Sequence, residues 1–207
     1  MSSGGRLSGS TTLAASVLSG ILACAPAPAG AQSLDWSSQN LNLDNNRFAE
    51  VDEINLGNVA RLLESWTYEV GPTDNISQTT PVVIDGIMYL HSRSTLFALD
   101  ATTGEELWQA VLDAGDPSGS PVRGPTFAGG NVYAYRGADL YAMDGRTGAP
   151  VEAFGDGGVL PVVSAALQAK YLDDYPPTLD PISIGYRITP PPAYHDGTMY
   201  VAAALSE

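Results

Sequence analysis

Residues 96–108 read LFALDATTGEELW, and residues 140–152 read LYAMDGRTGAPVE, 44 residues later. Both stretches are an apolar run, an Asp-x-x-Thr-Gly segment, and a further run. An Asp at the head of such a turn accepts amide hydrogens, and the Gly takes the left-handed position, so each stretch is expected to form a hairpin. A second pattern runs ahead of each. PVVIDGIMY at 81–89 recurs as PTFAGGNVY at 125–133 and as PAYHDGTMY at 192–200. Asp-Gly and Gly-Gly pairs accept positive φ at both central positions, as a two-residue hairpin requires. Pro81 and Pro125 are again 44 residues apart. Four short strands in such a unit is the period of a β-propeller blade.

The third unit arrives late. Pro192 follows Pro125 by 67 residues, and the excess falls in a Pro- and Asp-rich stretch at about 160–186. This stretch reads as a loop inserted on one rim, where insertions in repeat folds shape binding faces. About three units fit between Trp66 and Glu207. Propellers close with roughly four to eight blades, and open strand edges invite aggregation. The chain is therefore expected to be the N-terminal part of something longer, all-β in class.

Composition narrows the functions. The chain has 207 residues and a formal net charge of −14, which repels nucleic acid and anionic membrane surfaces. At 44% hydrophobic it is too apolar for a disordered polyanion, and 22 Gly with 15 Pro favour short strands and turns. A single cysteine, Cys24, excludes a disulfide framework and any CxxC metal or haem site. Residues 1–31 carry one charge, Arg6, an apolar run at 13–25 and a closing Ala29-Gly30-Ala31, the pattern of a secretory signal peptide. The domain then begins at 32 and extends to 207. A second reading of ILAC at 21–24 makes Cys24 a lipid-anchored residue, disfavoured by the bulky Leu22. Either way the protein is expected outside the cytoplasm.

Four stretches, in order along the chain, resemble the pyrroloquinoline-quinone (PQQ) dependent dehydrogenases, or quinoproteins. They are Asn46-Arg47-Phe48 with EINLGNVARL at 53–62 and Trp66; Ala98, Asp100, Gly104 and Trp108 as the docking motif; Arg123-Gly124 and FGDGG at 154–158; and YRITPPP at 186–192. The resemblance spans about residues 35–207. It implies about three blades of an eight-bladed propeller holding PQQ and Ca²⁺ on its axis, in a periplasmic enzyme. Such an enzyme oxidises a sugar or alcohol and passes electrons to a quinone or cytochrome c. It further implies that Trp108 packs on the neighbouring blade, and that Gln78, Arg123 and Thr189 face the cofactor. An amide, a planar guanidinium and a hydroxyl all suit a quinone that bears three carboxylates.

Glu207, after the small-residue run that begins at Ala202, matches a metal-binding Glu, and a carboxylate is a hard oxygen ligand for Ca²⁺. The catalytic base is expected beyond Glu207, so no residue here is assigned to that role. Residues 116–120 read DPSGS where alcohol-oxidising relatives often carry adjacent cysteines, which leans towards sugar or polyol substrates. The rival class is a non-enzymatic propeller scaffold, a lipoprotein of outer-membrane assembly, sharing the docking motif and accounting for Cys24. His91 and His195 read as surface residues, Asp173-Asp174 as a solvated acidic loop, and Asn75-Ile76-Ser77 as a glycosylation acceptor, of little meaning if the secretion signal is bacterial.

Overall fold

The computed structural model describes residues 35–42, 44–71, 78–112 and 122–205. The chain divides into two compact units, Met1–Gln32 and Ser33–Glu207, and every described residue lies in the second. The leader with Cys24, Asn75–Ser77, the DPSGS stretch at 116–120, and Glu207 lie outside the described residues.

Two four-stranded antiparallel sheets form the body, each in simple up-and-down order. The first comprises β1 (Val82–Ile84), β2 (Ile87–His91), β3 (Thr95–Asp100) and β4 (Glu106–Val111). The second comprises β5 (Thr126–Ala128), β6 (Asn131–Arg136), β7 (Asp139–Asp144) and β8 (Val159–Leu160). Each is a propeller blade, so the described part of the chain is a partial β-propeller. The hairpins fall where the Gly-bearing pairs predict. Asp85 and Gly86 have φ of 49° and 79°, and Asp196 and Gly197 have 46° and 76°.

The third repeat is less complete. β10 (Ala193–His195) pairs with β11 (Thr198–Tyr200), while β9 (Tyr186–Ile188) pairs separately with β12 (Ala203–Leu205). The insertion expected as a loop contains a helix, α1 (Val162–Tyr171), packed through Val163 against Ala138 and Leu140 of the second blade. Ala165, Ala166, Leu167 and Ala169 are strong helix formers, and a buried anchor suffices to hold one short helix.

Blades stack face to face, so the middle strands are covered on both sides. β3 is buried from Thr95 to Leu99 without alternation, as strands with two covered faces are. The same covering overturns the surface reading of His91. It lies at the end of β2, fully buried, with its ring edge-on to Tyr135 at 5.5 Å. His195 is exposed, as expected. One cluster, including Val82, Leu96, Val132 and Met143, fills the space between the two blades. Another joins Leu90, Phe97 and Leu99 to Trp66, Tyr68 and Val70 of the preceding extended segment.

Indoles fix these stacks. Trp66 donates its Nε1–H to the carbonyl of Ala101 (3.2 Å), and Trp108 donates to the carbonyl of Gly145 (3.0 Å). Ala101 and Gly145 each follow the Asp of an Asp-x-x-Thr-Gly turn. Asp100 Oδ1 accepts from the amides of Thr102 and Thr103, and Asp144 Oδ1 from those of Arg146 and Thr147. The amide bonds hold the Asp100 carboxyl below its ordinary value, and at Asp144 the Thr147 hydroxyl, donating to Oδ1 at 2.8 Å, does so first, with the amides adding. The turn Gly lies flat under the indole: a Cβ on Gly104 would sit 2.6 Å from Trp66, and one on Gly148 2.6 Å from Trp108. Tyr89 adds a second bond to Gly145 O (2.9 Å) and stacks on Phe127 of the next blade at 5.5 Å.

Gly148→Ala is expected to destabilise by about 2–4 kcal/mol, since left-handed backbone and an indole clash add. Gly86→Ala, with φ of 79° but nothing within 4 Å of a new Cβ, should lose only about 1 kcal/mol. Urea unfolding of the two variants checks this, and equal losses would contradict the docking role.

Tyr68, Tyr89 and Tyr135 are each pushed up to about 12, burial being the largest cause; at Tyr89 the carboxylates of Asp144 and Asp85 add to it. A phenol whose folded value is raised stabilises fully below its unfolded value of 10.0, and that stability is lost as pH rises from 10.0 towards about 12. For the buried Tyr89 the effect is on the order of 2 kcal/mol. Melting temperature should therefore fall across this window, with phenolate absorbance appearing together with unfolding. A shallower fall in Tyr89→Phe than in the parent, with Tyr68 and Tyr135 still contributing, assigns the share of Tyr89.

Candidate functional site

Gln78, Arg123 and Thr189 each precede the first strand of a hairpin: β1, β5 and β10 respectively. They therefore share one end of the blades, opposite the Asp-Gly and Asp-x-x-Thr-Gly turns. Gln78 and Arg123 are exposed, and Thr189 is half-buried.

Hydrogen bonds stitch the loops that carry them. The amide of Thr80 donates to the carbonyl of Arg123 (3.1 Å), joining the first loop to the second. Thr79 Oγ1 donates to the carbonyl of His91 and lies 3.4 Å from that of Val122. Gly124 is forced by this approach. Its φ is 119°, and a Cβ would stand 2.3 Å from the carbonyl oxygen of Thr80, so any side chain would part the loops. The second loop meets the third through Tyr135 on β6. Its hydroxyl accepts from the amide of Arg123 (3.0 Å) and donates to the carbonyl of Thr189. Thr126 Oγ1 donates to the carbonyl of Pro192, and the amide of Ile188 to that of Gly137 (2.9 Å).

The structure thus brings the Arg123 and Thr189 backbones together on one hydroxyl, and sets Gln78 beside them through Thr79 and Thr80. Glu207 lies outside the described residues. Sequence reasoning missed Tyr135, Thr79 and His91. Tyr135 carries no local signal, since its partners are 12 and 54 residues away.

The electrostatics of this end are mixed. Burial raises the Tyr135 phenol, while the Arg123 amide bond and guanidinium pull it down. Asp139, where β7 begins, is raised by burial and then by the neighbouring Asp180 carboxylate. Asp180 belongs to the insertion and accepts from the amides of Ile182 and Ser183. No cluster of three metal-ligating side chains occurs among the described residues. A cleft of about 240 Å³ opens beside the loops, between Ser37–Asn42, Thr126, Phe127 and Pro191–Tyr194. A larger one of about 660 Å³ lies at the opposite end, between Asp85, Tyr89 and Asp144–Arg146. None of the three candidate residues lines either cleft.

An exposed guanidinium, an exposed amide and a threonine hydroxyl are donor types that suit an anionic, oxygen-rich ligand.

Comparison with known proteins agrees with the repeat pattern. Residues 36–204 match the family described as glucose/ethanol/alcohol dehydrogenase, β-propeller domain, of the PQQ type. The quinohemoprotein alcohol dehydrogenase of Comamonas testosteroni is 35% identical over 130 residues, covering 58% of this chain and 18% of that protein. The quinoprotein glucose dehydrogenase of Escherichia coli is 26% identical over 202 residues, covering 84% and 24%. The crystal structure of the Comamonas enzyme superposes with a TM-score of 0.61 at 24% identity, over 84% of this chain and 24% of that one. A europium-containing methanol dehydrogenase superposes at 0.60 and 21% identity, over 83% and 27%. At such identities the structural likeness is one of fold. The chain spans about a fifth to a quarter of these relatives' own length. With the family matched from Trp36 to Ala204, this chain belongs to the PQQ-dependent dehydrogenase β-propeller family.

Proposed function

We propose that the chain supplies the first blades of a periplasmic PQQ-dependent dehydrogenase that oxidises a sugar or alcohol. The observation that carries this reading is the stitching of the Gln78, Arg123 and Thr189 loops at one end of adjacent blades. Family membership favours it over the scaffold alternative.

In this reading Arg123 pairs with a PQQ carboxylate or quinone oxygen, Gln78 donates from its amide, and Thr189 offers its hydroxyl to a carboxylate. Glu207 contributes a hard oxygen ligand to Ca²⁺, or to a lanthanide of the kind one relative's name specifies. Bound PQQ would supply the acceptor for a hydride equivalent from the substrate C–H, with the metal as Lewis acid. This chain's own part is to bind and orient the cofactor, and the base lies outside it. The helix-bearing insertion at 161–185 rises from the same end of the second blade and forms a rim beside the cofactor. Residues 1–31 act as the export signal, and the electron acceptor is a quinone or cytochrome c, as named for two relatives.

Reconstitution of the complete protein with PQQ, Ca²⁺ and a dye acceptor is expected to give turnover with a sugar or alcohol. Arg123→Ala should weaken PQQ binding by at least about tenfold, the loss of one charge-assisted pair. The 207-residue chain alone should show no turnover. Absence of PQQ binding by the complete protein with either metal type, or an unchanged affinity in Arg123→Ala, would overturn the reading.

A further inference from the structure

We infer that Tyr135 is a positioning residue for the cofactor site, its buried hydroxyl setting the Arg123 and Thr189 loops in register before a ligand arrives. The inference rests on the PQQ-site reading above.

Tyr135 is 2% exposed, and its ring is held edge-on by His91 at 5.5 Å and 89°. A phenol has one hydrogen to donate and lone pairs to accept with. Here it accepts from the Arg123 amide at 3.0 Å and donates to the Thr189 carbonyl. Its hydroxyl reaches the backbones of two candidate ligand residues, on loops entering different repeats.

Both bonds use main-chain atoms, so neither consumes the Arg123 guanidinium or the Thr189 hydroxyl. The peptide groups flanking Arg123 are gripped from two directions, the amide by Tyr135 and the carbonyl by Thr80 at 3.1 Å. The guanidinium therefore extends from a fixed Cα, and its binding to an anion loses less ordering entropy than on a free loop. Thr189 is set in the same frame because one oxygen atom serves both loops.

The test measures PQQ affinity and cofactor-free melting temperature in the complete protein. Tyr89→Phe serves as a control. It removes an equally buried hydroxyl and an inter-blade bond, to Gly145 O, at the opposite end of the blades. Tyr135→Phe is expected to raise the PQQ dissociation constant about tenfold, whereas Tyr89→Phe should leave it within about twofold while still lowering the melting temperature. In an Arg123→Ala, Thr189→Ala background, Tyr135→Phe should add less than about twofold, because it acts through those two residues. If Tyr135→Phe lowers the melting temperature and leaves PQQ affinity unchanged, Tyr135 is a core residue only and the inference fails.

Arg123→Ala and Thr189→Ala separate the two levels. If both leave affinity unchanged, the cofactor site is wrong and the inference falls with it. If both weaken it and Tyr135→Phe does not, only the inference falls. Should Tyr135→Phe not fold, hydrogen exchange on the unsubstituted, cofactor-free protein decides. A protected Arg123 amide supports the clamp, and exchange at an unprotected rate overturns it.

Discussion

The contact on which the rest depends is an indole lying on a glycine turn. Trp66 covers Gly104, and Trp108 covers Gly148, each with its Nε1–H on the carbonyl that follows the turn's Asp. The arrangement works because Asp100 and Asp144 hold the turn amides, and because a glycine leaves the indole no Cβ to meet. Each contact joins one structural unit to the next, so repeating it sets the angle and height at which blades stack. From that follow the Tyr89–Phe127 stack, the buried cluster between the blades, and the levelling of the strand starts at the opposite end.

The candidate site is a consequence of that levelling. Gln78, Arg123 and Thr189 come from loops that sequence separates by tens of residues, yet the blade repeat delivers all three to one end. There the loops are joined by hydrogen bonds to main-chain atoms, over the buried cluster of Val122, Tyr135 and Ile188. Thr80 reaches the Arg123 carbonyl over a position that only glycine tolerates, and Tyr135 ties Arg123 to Thr189. The backbone is thus tied down there, with the Gln78 and Arg123 side chains exposed and Thr189 half-buried, as the proposed cofactor site would require.

Much of the fold was legible in the sequence because its hairpins are encoded locally. Asp85-Gly86 and Asp196-Gly197 adopt the two positive φ values their residue types favour, and the 44-residue spacing names the blade. What was not legible is non-local. The helix in the insertion was hidden by the Pro and Asp residues that follow it, which dominate the composition of 172–181. His91, in the short polar stretch HSRS, read as surface, because nothing in that stretch reports that neighbouring blades cover both faces of β2. Tyr135 gave no sign at all, since its meaning lies in two loops brought to it by the fold. The candidate site residues were singled out only through resemblance; their residue types alone would have named an ordinary arginine and a strand-end threonine.

The most direct measurement is a crystal or cryo-electron microscopy structure of the complete protein with PQQ bound. The account predicts cofactor density at the end where residues 78–80, 122–125 and 189–192 meet, with the Arg123 guanidinium within hydrogen-bonding distance of a PQQ oxygen. Density at the opposite end, among the Asp-Gly turns, or a bound cofactor that leaves Arg123 in solvent, would contradict it.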